Sequence, residues 1–180
     1  MIKKSMEELN RINPQEFKAN AKRNLVVVLD NIRSKQNIGS IFRTCDAFGI
    51  GIIFLCGISA TPPDREIERT ALGATLSVDW EYYQSSVECV AKLKAENYKI
   101  ISIEQTKMSQ LLTDIDFQDI RAAIVFGNEI QGVDEDILKL SDLHLEIPQQ
   151  GTKHSLNVAV SAGIVLWELA GKQISVLKKS

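Results

Sequence analysis

Short aliphatic runs alternate with segments of helical periodicity along the chain. Leu25–Leu29 and Ile52–Cys56 are continuous apolar runs, which are typical of parallel strands covered on both faces. Between them, apolar residues recur at i, i+3, i+4 and i+7, a spacing that predicts a helix buried along one side. Those residues are Ile38, Ile41, Phe42, Cys45 and Phe48. Asn37 immediately precedes them and is predicted to cap this helix.

The same alternation continues through the rest of the chain. Further strands are predicted at Val78–Tyr83, Tyr98–Ile103, Ile120–Phe126 and Leu143–Ile147. Helices are predicted over Asp64–Leu72, Ser86–Ala95 and Asp134–Leu140. Regular alternation of this kind predicts an α/β fold with a mostly parallel sheet flanked by helices. In such sheets, ligands bind at the carboxyl ends of the strands.

The segment from Ile147 to Ala170 combines a polar loop with the most apolar helix of the chain. Between Val158 and Leu169 the only charged residue is Glu168, so this helix is predicted to be buried on nearly all sides. Ser155 and Asn157 fall in its first turn, where backbone N–H groups lack partners within the helix. These polar groups are expected to bind a neighbouring loop, water or a ligand.

The first 23 residues are predicted to form a short basic helical extension, followed by one domain over residues 24–180. Apolar residues have near-helical spacing across residues 5–23, and Pro14 breaks or restarts the helix. The apolar residues are Met6, Leu9, Ile12 and Phe17. A core of this length is large enough for a single folded domain.

Charge is unevenly distributed along a chain whose net charge is −2. Residues 1–23 and 151–180 each carry +3, whereas residues 81–150 carry −7. If the two basic ends lie on one face, that face could contact phosphates despite the acidic total. A solvated surface with chance clustering is the alternative interpretation.

The three cysteines, Cys45, Cys56 and Cys89, are far apart in the sequence and form no C-x-x-C pair. They are expected to be reduced, buried thiols of a cytoplasmic protein and not a disulfide framework or a zinc site. The polar N-terminus has no secretory signal pattern, and no apolar run reaches the length of a membrane span. No metal ligand set is predicted.

Several common chemistries are excluded by absent patterns. The chain has no G-x-x-x-x-G-K-[ST] phosphate loop, no glycine-rich dinucleotide fingerprint and no G-x-S-x-G elbow. His144 alternates with Leu143 and Leu145, which indicates an exposed strand residue and not a metal ligand.

Three polar clusters remain, each at a predicted strand–loop–helix junction. They are Asn37 with Arg43, the loop of residues 127–132, and the segment of residues 147–157. Singly, each can be explained as a helix cap, an acidic turn or a capped helix start. Their joint occurrence at junctions of one sheet favours a functional site.

Together these clusters resemble the motifs of the SpoU (TrmH) family in the SPOUT superfamily of RNA methyltransferases. The first motif is DNIRSKQNIGSIFRTCDAFG at residues 30–49. The second is IVFGNEIQGV at residues 124–133, and the third is IPQQGTKHSLNVAVSAGIVLWEL at residues 147–169. Their order and spacing match the family, and the similarity extends over residues 25–170.

The resemblance implies an S-adenosylmethionine-dependent 2′-O-methyltransferase that acts on tRNA or rRNA, forms a homodimer and carries a C-terminal trefoil knot. Knots are rare exceptions to the usual rules of topology. The residues implied to hold the methyl donor are Ile103, Glu104, Gly127, Gly132, Ile147 and Leu156. Backbone groups are expected to provide much of this contact, because the glycines allow close approach.

By resemblance, Arg43 is the central catalytic residue. A guanidinium stays protonated in proteins, so we expect Arg43 to orient a phosphate and stabilise the developing alkoxide, while the acceptor of the 2′-hydroxyl proton stays open. Asn37 and Glu129 are expected to position Arg43, the ribose or the second-motif loop. Ser155 and Asn157 are expected to tie the third motif to the donor and to a second subunit.

Basic residues near these motifs are expected to bind RNA phosphates. They are Lys22, Arg23, Arg33, Lys35, Lys153 and His154. About 24 residues precede the core, too few for an added RNA-binding domain, so the basic helix and the tail (Lys178, Lys179) are expected to help. This short architecture favours tRNA over rRNA. A non-catalytic RNA-binding protein with the same fold, and a methyltransferase acting on a base nitrogen, are the alternatives.

Overall fold

A single seven-stranded sheet organises the computed structural model, which describes residues 3–4, 11–117 and 120–177, with side chains to Lys172. The strand order is β3-β2-β1-β6-β4-β7-β5, and every pairing between these strands is parallel. The strands are β1 Leu25–Asp30, β2 Ile52–Cys56, β3 Asp79–Tyr83, β4 Lys99–Ile103, β5 Gln110–Leu111, β6 Ala122–Phe126 and β7 Leu143–Glu146. The predicted α/β fold with a parallel sheet is confirmed.

Helices cover both faces of the sheet. They are α1 Pro14–Ala19, α2 Lys35–Ala47, α3 Arg65–Ala71, α4 Ala74–Ser77, α5 Ser86–Ala95, α6 Glu135–Leu140 and α7 Val158–Leu177. One face packs against α2, α3 and α7, and the other packs against α5 and α6. Two hydrophobic clusters therefore lie on opposite sides of one sheet.

The central strands explain why the aliphatic runs contain so few polar residues. Every residue of β1 and of β6 is buried, because these strands pair with each other and are covered above and below. Leu25 lies opposite Ala122 and Leu29 opposite Phe126. Side chains alternate between the two faces of a strand, so a strand covered on both faces is apolar along nearly its whole length, and Asp30 at the end of β1 is the exception here.

The helix that carries the first motif begins earlier than predicted. Its first residue is Lys35, and the side chain of Ser34 accepts the capping hydrogen bond from the backbone N–H of Asn37 at 3.2 Å. Asn37 is therefore inside the helix and not at its cap. The pattern S-x-x-N contains a capping serine that the sequence analysis overlooked.

The N-terminal extension contains a shorter helix than predicted. Helix α1 begins at Pro14, with Asn13 and Glu16 forming a capping box, and it ends at Ala19. Residues 20–23 are not helical, and residues 5–10 lie outside the described part of the chain. Phe17 is buried in the main core, so α1 packs onto the domain.

Two features near the β5 edge of the sheet differ from prediction. The two-residue strand β5 was not predicted, because so short a strand has no periodicity to detect. His144 is half-buried and not exposed. Its ring nitrogens lie 3.0 Å from Thr106 Oγ1 and 3.0 Å from the carbonyl oxygen of Leu138, which ties β7 to the segments on either side.

The prediction that α7 is buried on nearly all sides is wrong for this single chain. Val160, Ile164 and Trp167 remain 51%, 39% and 66% exposed. Their spacing of four and three residues aligns them along one side of the helix, opposite the side that enters the core. A contiguous apolar stripe is therefore left on the surface.

The predicted state of the cysteines is confirmed, since Cys45, Cys56 and Cys89 are all free and buried. Burial raises the pKa of the Cys45 thiol, which keeps it protonated and inert. Among the helices described, none is long and apolar enough to cross a membrane.

Helices α2 and α3 approach each other closely at Gly39. A Cβ atom on Gly39 would overlap Thr70 Oγ1 and the carbonyl oxygen of Ile67. The Thr70 hydroxyl also donates to the carbonyl oxygen of Gln36 at 3.1 Å. Glycine inside a helix lowers stability by about 1 kcal/mol relative to alanine. At position 39 the close packing of α2 against α3 offsets that cost.

Gly39→Ala is expected to destabilise the protein by about 1 to 3 kcal/mol, because the added methyl group overlaps backbone that cannot move alone. Urea denaturation measures the change in the free energy of unfolding. Gly171→Ala is the matched control, since nothing lies within 4 Å of its added methyl group in α7. The control should be neutral or stabilising, and equal effects of the two substitutions would show that the α2–α3 contact does not require glycine at position 39.

Candidate active site

A cavity of about 550 Å³ opens at the carboxyl ends of β4, β6 and β7. All six residues predicted to hold the methyl donor line it: Ile103, Glu104, Gly127, Gly132, Ile147 and Leu156. Glu129, His154, Ser155 and Asn157 line it as well. The volume lies within the range of small-molecule sites, and the position is the one expected for a parallel sheet.

The loop of residues 127–133 forms one wall and requires glycine at two positions. A Cβ on Gly127 would overlap the backbone of Gly132 and Val133. Gly132 has φ of 73°, and a Cβ there would overlap the carboxylate of Glu104. Only glycine adopts this φ at no steric cost, so both glycines keep the wall thin and its backbone accessible to a ligand.

Glu104 closes the floor of the cavity and fixes this loop. Its Oε2 accepts from the backbone N–H of Val133 at 3.0 Å, and its Oε1 accepts from that of Gln105 at 2.9 Å. The Gln105 side chain donates to the carbonyl oxygen of His154 at 3.0 Å. The end of β4 therefore links the second-motif loop to the third-motif loop.

Glu129 connects the second motif to the first. Its carboxylate accepts from the backbone N–H groups of Arg33 and Ser34, both at 3.0 Å, and from Asn37 Nδ2 at 3.1 Å. Desolvation raises the pKa of Glu129, but these donors outweigh it, so the pKa lies below its usual value. The side chain is therefore held as a carboxylate.

Asn37 extends this chain of hydrogen bonds to the third motif. Its Oδ1 accepts from Asn157 Nδ2 at 3.1 Å. Asn157 Oδ1 then accepts from the backbone N–H groups of Ala159 and Val160, so Asn157 caps α7. Three residues from three motifs, Glu129, Asn37 and Asn157, form one continuous polar chain beside the cavity.

Buried Asp30 is a residue of this region that the sequence analysis did not assign. It is 1% exposed and accepts from Ser86 Oγ at 2.6 Å, Asn31 Nδ2 at 2.7 Å and the backbone N–H of Asp134 at 2.9 Å. Asn128 Nδ2 donates to the carbonyl oxygen of Asn31 at 2.6 Å. The sequence signal for Asp30 was its position at the end of a buried aliphatic strand. A carboxylate buried there requires hydrogen-bond partners, so it would have been expected to organise the loops around it.

Arg43 lies on the exposed side of α2 and does not line the cavity of its own chain. In the described part of the chain, its side chain makes no hydrogen bond or ion pair. Ser155 lines the cavity and is also exposed. The structure thus brings Asn37, Glu129, Ser155 and Asn157 together and leaves Arg43 facing solvent.

Of the six residues predicted to bind RNA, three have side-chain partners within the domain and three have exposed side chains. Lys22 lies over the Phe17 ring, and Arg23 donates to the carbonyl oxygens of Phe48 and Ala170, so these two help hold α1 and α7 on the domain. Lys35 forms an ion pair with Asp64 at 2.8 Å. The side chains of Arg33, Lys153 and His154 are exposed. Contact of any of the six with RNA stays a prediction.

Among the described residues, no group of three or more His, Cys, Asp and Glu side chains could hold a metal ion.

The parallel sheet and the polar chain beside its cavity define an α/β protein with a candidate small-molecule site, and comparison with known proteins gives the family. Residues 24–167 match the SpoU rRNA Methylase family, so the chain belongs to the SpoU methylase family.

Relatives and solved structures agree with this assignment. The tRNA (guanosine(18)-2′-O)-methyltransferase of Aquifex aeolicus is 31% identical over 147 residues, covering 81% of this chain and 68% of that protein. The mouse tRNA (guanosine(18)-2′-O)-methyltransferase TARBP1 is 32% identical over 83% of this chain, which spans only 10% of that protein. The SpoU methyltransferase AviRb of Streptomyces viridochromogenes, solved with the cofactor AdoMet, superposes with a TM-score of 0.78 and 26% identity, over 89% of this chain and 64% of that one.

Glu129→Gln is expected to destabilise the protein at neutral pH, because a neutral amide offers only one acceptor oxygen to three donors. Since the folded-state pKa of Glu129 is lowered, its contribution is present above the unfolded value near 4.5 and is lost as pH falls through the folded pKa. The difference in the free energy of unfolding should therefore be constant above about pH 5.5 and shrink below about pH 4.5.

Denaturant titrations from pH 3.5 to 7 measure this difference. Glu96→Gln is the control, since Glu96 is exposed at the end of α5 and its carboxylate accepts no hydrogen bond from the residues that the structure describes. A penalty for Glu129→Gln that did not change with pH would show that the carboxylate charge is not what holds the three motifs.

Proposed function

We propose that the protein is an S-adenosylmethionine-dependent RNA methyltransferase that transfers a methyl group to a ribose 2′-hydroxyl. The observation that carries this proposal is the cavity, which is lined by every residue implied for the donor and bordered by the Glu129–Asn37–Asn157 chain. Membership of the SpoU methylase family and the named activities of the Aquifex and mouse relatives support it.

The cavity fits the proposed donor in size and chemistry. Ile103, Ile147 and Leu156 offer apolar surface to an adenine ring, and the backbone at Gly127 and Gly132 can be approached closely. S-adenosylmethionine supplies a methyl group already activated on its sulfonium. The remaining task of the protein is to align the hydroxyl oxygen and assist removal of its proton.

Arg43 is proposed to perform that alignment. Its guanidinium is exposed and free of ion pairs in the described part of the chain, so it can bind a phosphate by two parallel hydrogen bonds. A fixed positive charge near the target oxygen would also stabilise negative charge that develops there. Because Arg43 does not line the cavity of its own chain, we propose that it serves the cavity of a second copy.

The second copy is proposed to dock on the apolar stripe of Val160, Ile164 and Trp167. These side chains form one contiguous exposed apolar stripe along α7, which supports burial against another protein surface. Asn157 caps the same helix, so the stripe lies directly beside the polar chain of the site. A homodimer formed there would bring two sites close to one interface.

The proposed substrate is tRNA in preference to rRNA. The names of the Aquifex and mouse relatives support tRNA, whereas the family description names rRNA.

We also propose that the C-terminal third is knotted. In support, β7 inserts between β4 and β5, which both precede it in the chain.

Free buried thiols suit a reducing compartment, and we propose that the protein is cytoplasmic.

Arg43→Ala is expected to lower kcat about 100-fold to 1,000-fold, because the positive charge proposed to stabilise the reacting oxygen is lost. The fold should be retained, because the Arg43 side chain is exposed and has no partner among the described residues. The measurement is transfer of labelled methyl groups from S-adenosylmethionine into bulk tRNA and, separately, rRNA. Alkali-stable nucleotides in the product identify ribose methylation and exclude methylation of a base. Arg121→Ala is the control, since that guanidinium already stacks on Tyr98.

Unchanged transfer by Arg43→Ala would leave the reaction standing and refute the role of Arg43. Donor binding without transfer to either RNA would favour the non-catalytic RNA-binding protein.

Trp167→Glu is expected to shift the protein from dimer to monomer, because a charge would be buried at the centre of the proposed interface. Sedimentation velocity across a concentration series measures the shift. Tyr82→Glu, at another exposed aromatic residue, is the control and should sediment as the wild type does. A wild-type protein that stays monomeric at tens of micromolar would refute the dimer.

A further inference from the structure

The exposed cations of the chain differ in whether they have a partner. Each of six lysines forms an ion pair: Lys18, Lys35, Lys92, Lys94, Lys139 and Lys172. Four arginines of the first motif and α3 are exposed, and their side chains form no hydrogen bond, ring contact or ion pair within the described residues. They are Arg33, Arg43, Arg65 and Arg69. Two of these, Arg65 and Arg69, have been given no role so far.

The packing of α2 on α3 brings these two close to the helix that carries Arg43. The helices cross at Gly39, which touches Ile67 and Thr70 of α3. Arg43 follows Gly39 by four residues and therefore lies on the same side of α2, one turn from the crossing. Arg65 and Arg69 are four residues apart and share the exposed side of α3, whereas Ile67 and Thr70 face α2.

Nearby carboxylates leave these arginines available. Asp64 is occupied by Lys35 and by the N-terminal N–H groups of α3, and Glu68 accepts from the Thr75 hydroxyl at 2.8 Å. Glu66 is exposed, and its carboxylate pairs with neither arginine. Guanidinium groups without partners are suited to phosphate, which they bind through two hydrogen bonds in one plane.

We propose that Arg65 and Arg69 bind phosphates of the substrate RNA and extend the contact surface of Arg43 across α3. This inference rests on the proposed function. Contacts of this kind position a strand without reading its sequence, so α3 would hold the RNA backbone beside the nucleotide that is methylated. The residues contribute to binding and position and take no part in the chemical step.

The double variant Arg65→Gln/Arg69→Gln tests the proposal, with bulk tRNA as the probe. Fluorescence anisotropy between 50 and 200 mM salt should give a slope of log K against log salt that is shallower by about 1.5, since two phosphate contacts are lost. The KM for tRNA should rise, while kcat and the affinity for S-adenosylmethionine should stay as in the wild type.

Two further variants separate this role from a general effect of charge or stability. Lys92→Gln/Lys139→Gln also removes two positive charges, but from side chains that already form ion pairs. This variant should keep the wild-type slope. Arg65→Lys/Arg69→Lys should restore most of the slope, because the positive charges remain.

A wild-type slope and KM in the double glutamine variant, with methyl transfer intact, would overturn this inference and leave the proposed function standing. An equal decrease of the salt slope in Lys92→Gln/Lys139→Gln would also overturn it, since the change in net charge alone would then explain the effect. A wild type that methylates neither tRNA nor rRNA, and binds neither in a salt-dependent manner, would refute both proposals.

Discussion

The carboxylate of Glu129 is the group on which the arrangement of the site depends. It accepts hydrogen bonds from the turn after β1 and from Asn37, and Asn37 in turn holds the residue that caps α7. Three loops that follow three different strands are therefore fixed relative to one another by a chain of hydrogen bonds that begins at Glu129. Donors that converge on a carboxylate stabilise its charged form, so the same contacts keep the group ionised.

Helix α7 connects this polar chain to the surface proposed for a second subunit. Its first turn is capped by Asn157, and Val160 of the exposed stripe lies in the same turn. Its opposite side contributes Leu166 and Leu169 to the core. The same helix therefore contacts the core, the candidate site and the proposed interface, which suits a reaction assembled from two chains.

Local sequence predicted the elements well where one physical signal dominated. The bounds of β2 and α5 match the prediction, because aliphatic runs and capping serines mark them clearly. The start of α2 was misplaced because Ser34 and Asn37 are both good caps, and only the backbone shows which one acts. The exposed side of α7 was missed because a buried face and an interface face have the same apolar composition.

The site itself was predictable only in part. The cavity residues follow strand ends, which sequence can locate, but their assignment to a donor came from family resemblance. Contacts such as Asn37 with Asn157 join residues 120 positions apart, which no local pattern reveals. Asp30 was missed because its burial follows from the packing of Ser86 and Asp134 around it.

The strand order has a consequence for the time course of folding. Strand β1 pairs on one side with β6, so Leu25 must wait for Ala122, which is synthesised about 5 to 20 seconds later at typical rates of translation. Parallel pairing across so many residues also carries a large entropy of loop closure. During that interval the N–H and C=O groups on the β6 side of β1 have no strand partner, so this aliphatic strand remains an open edge for pairing with other chains.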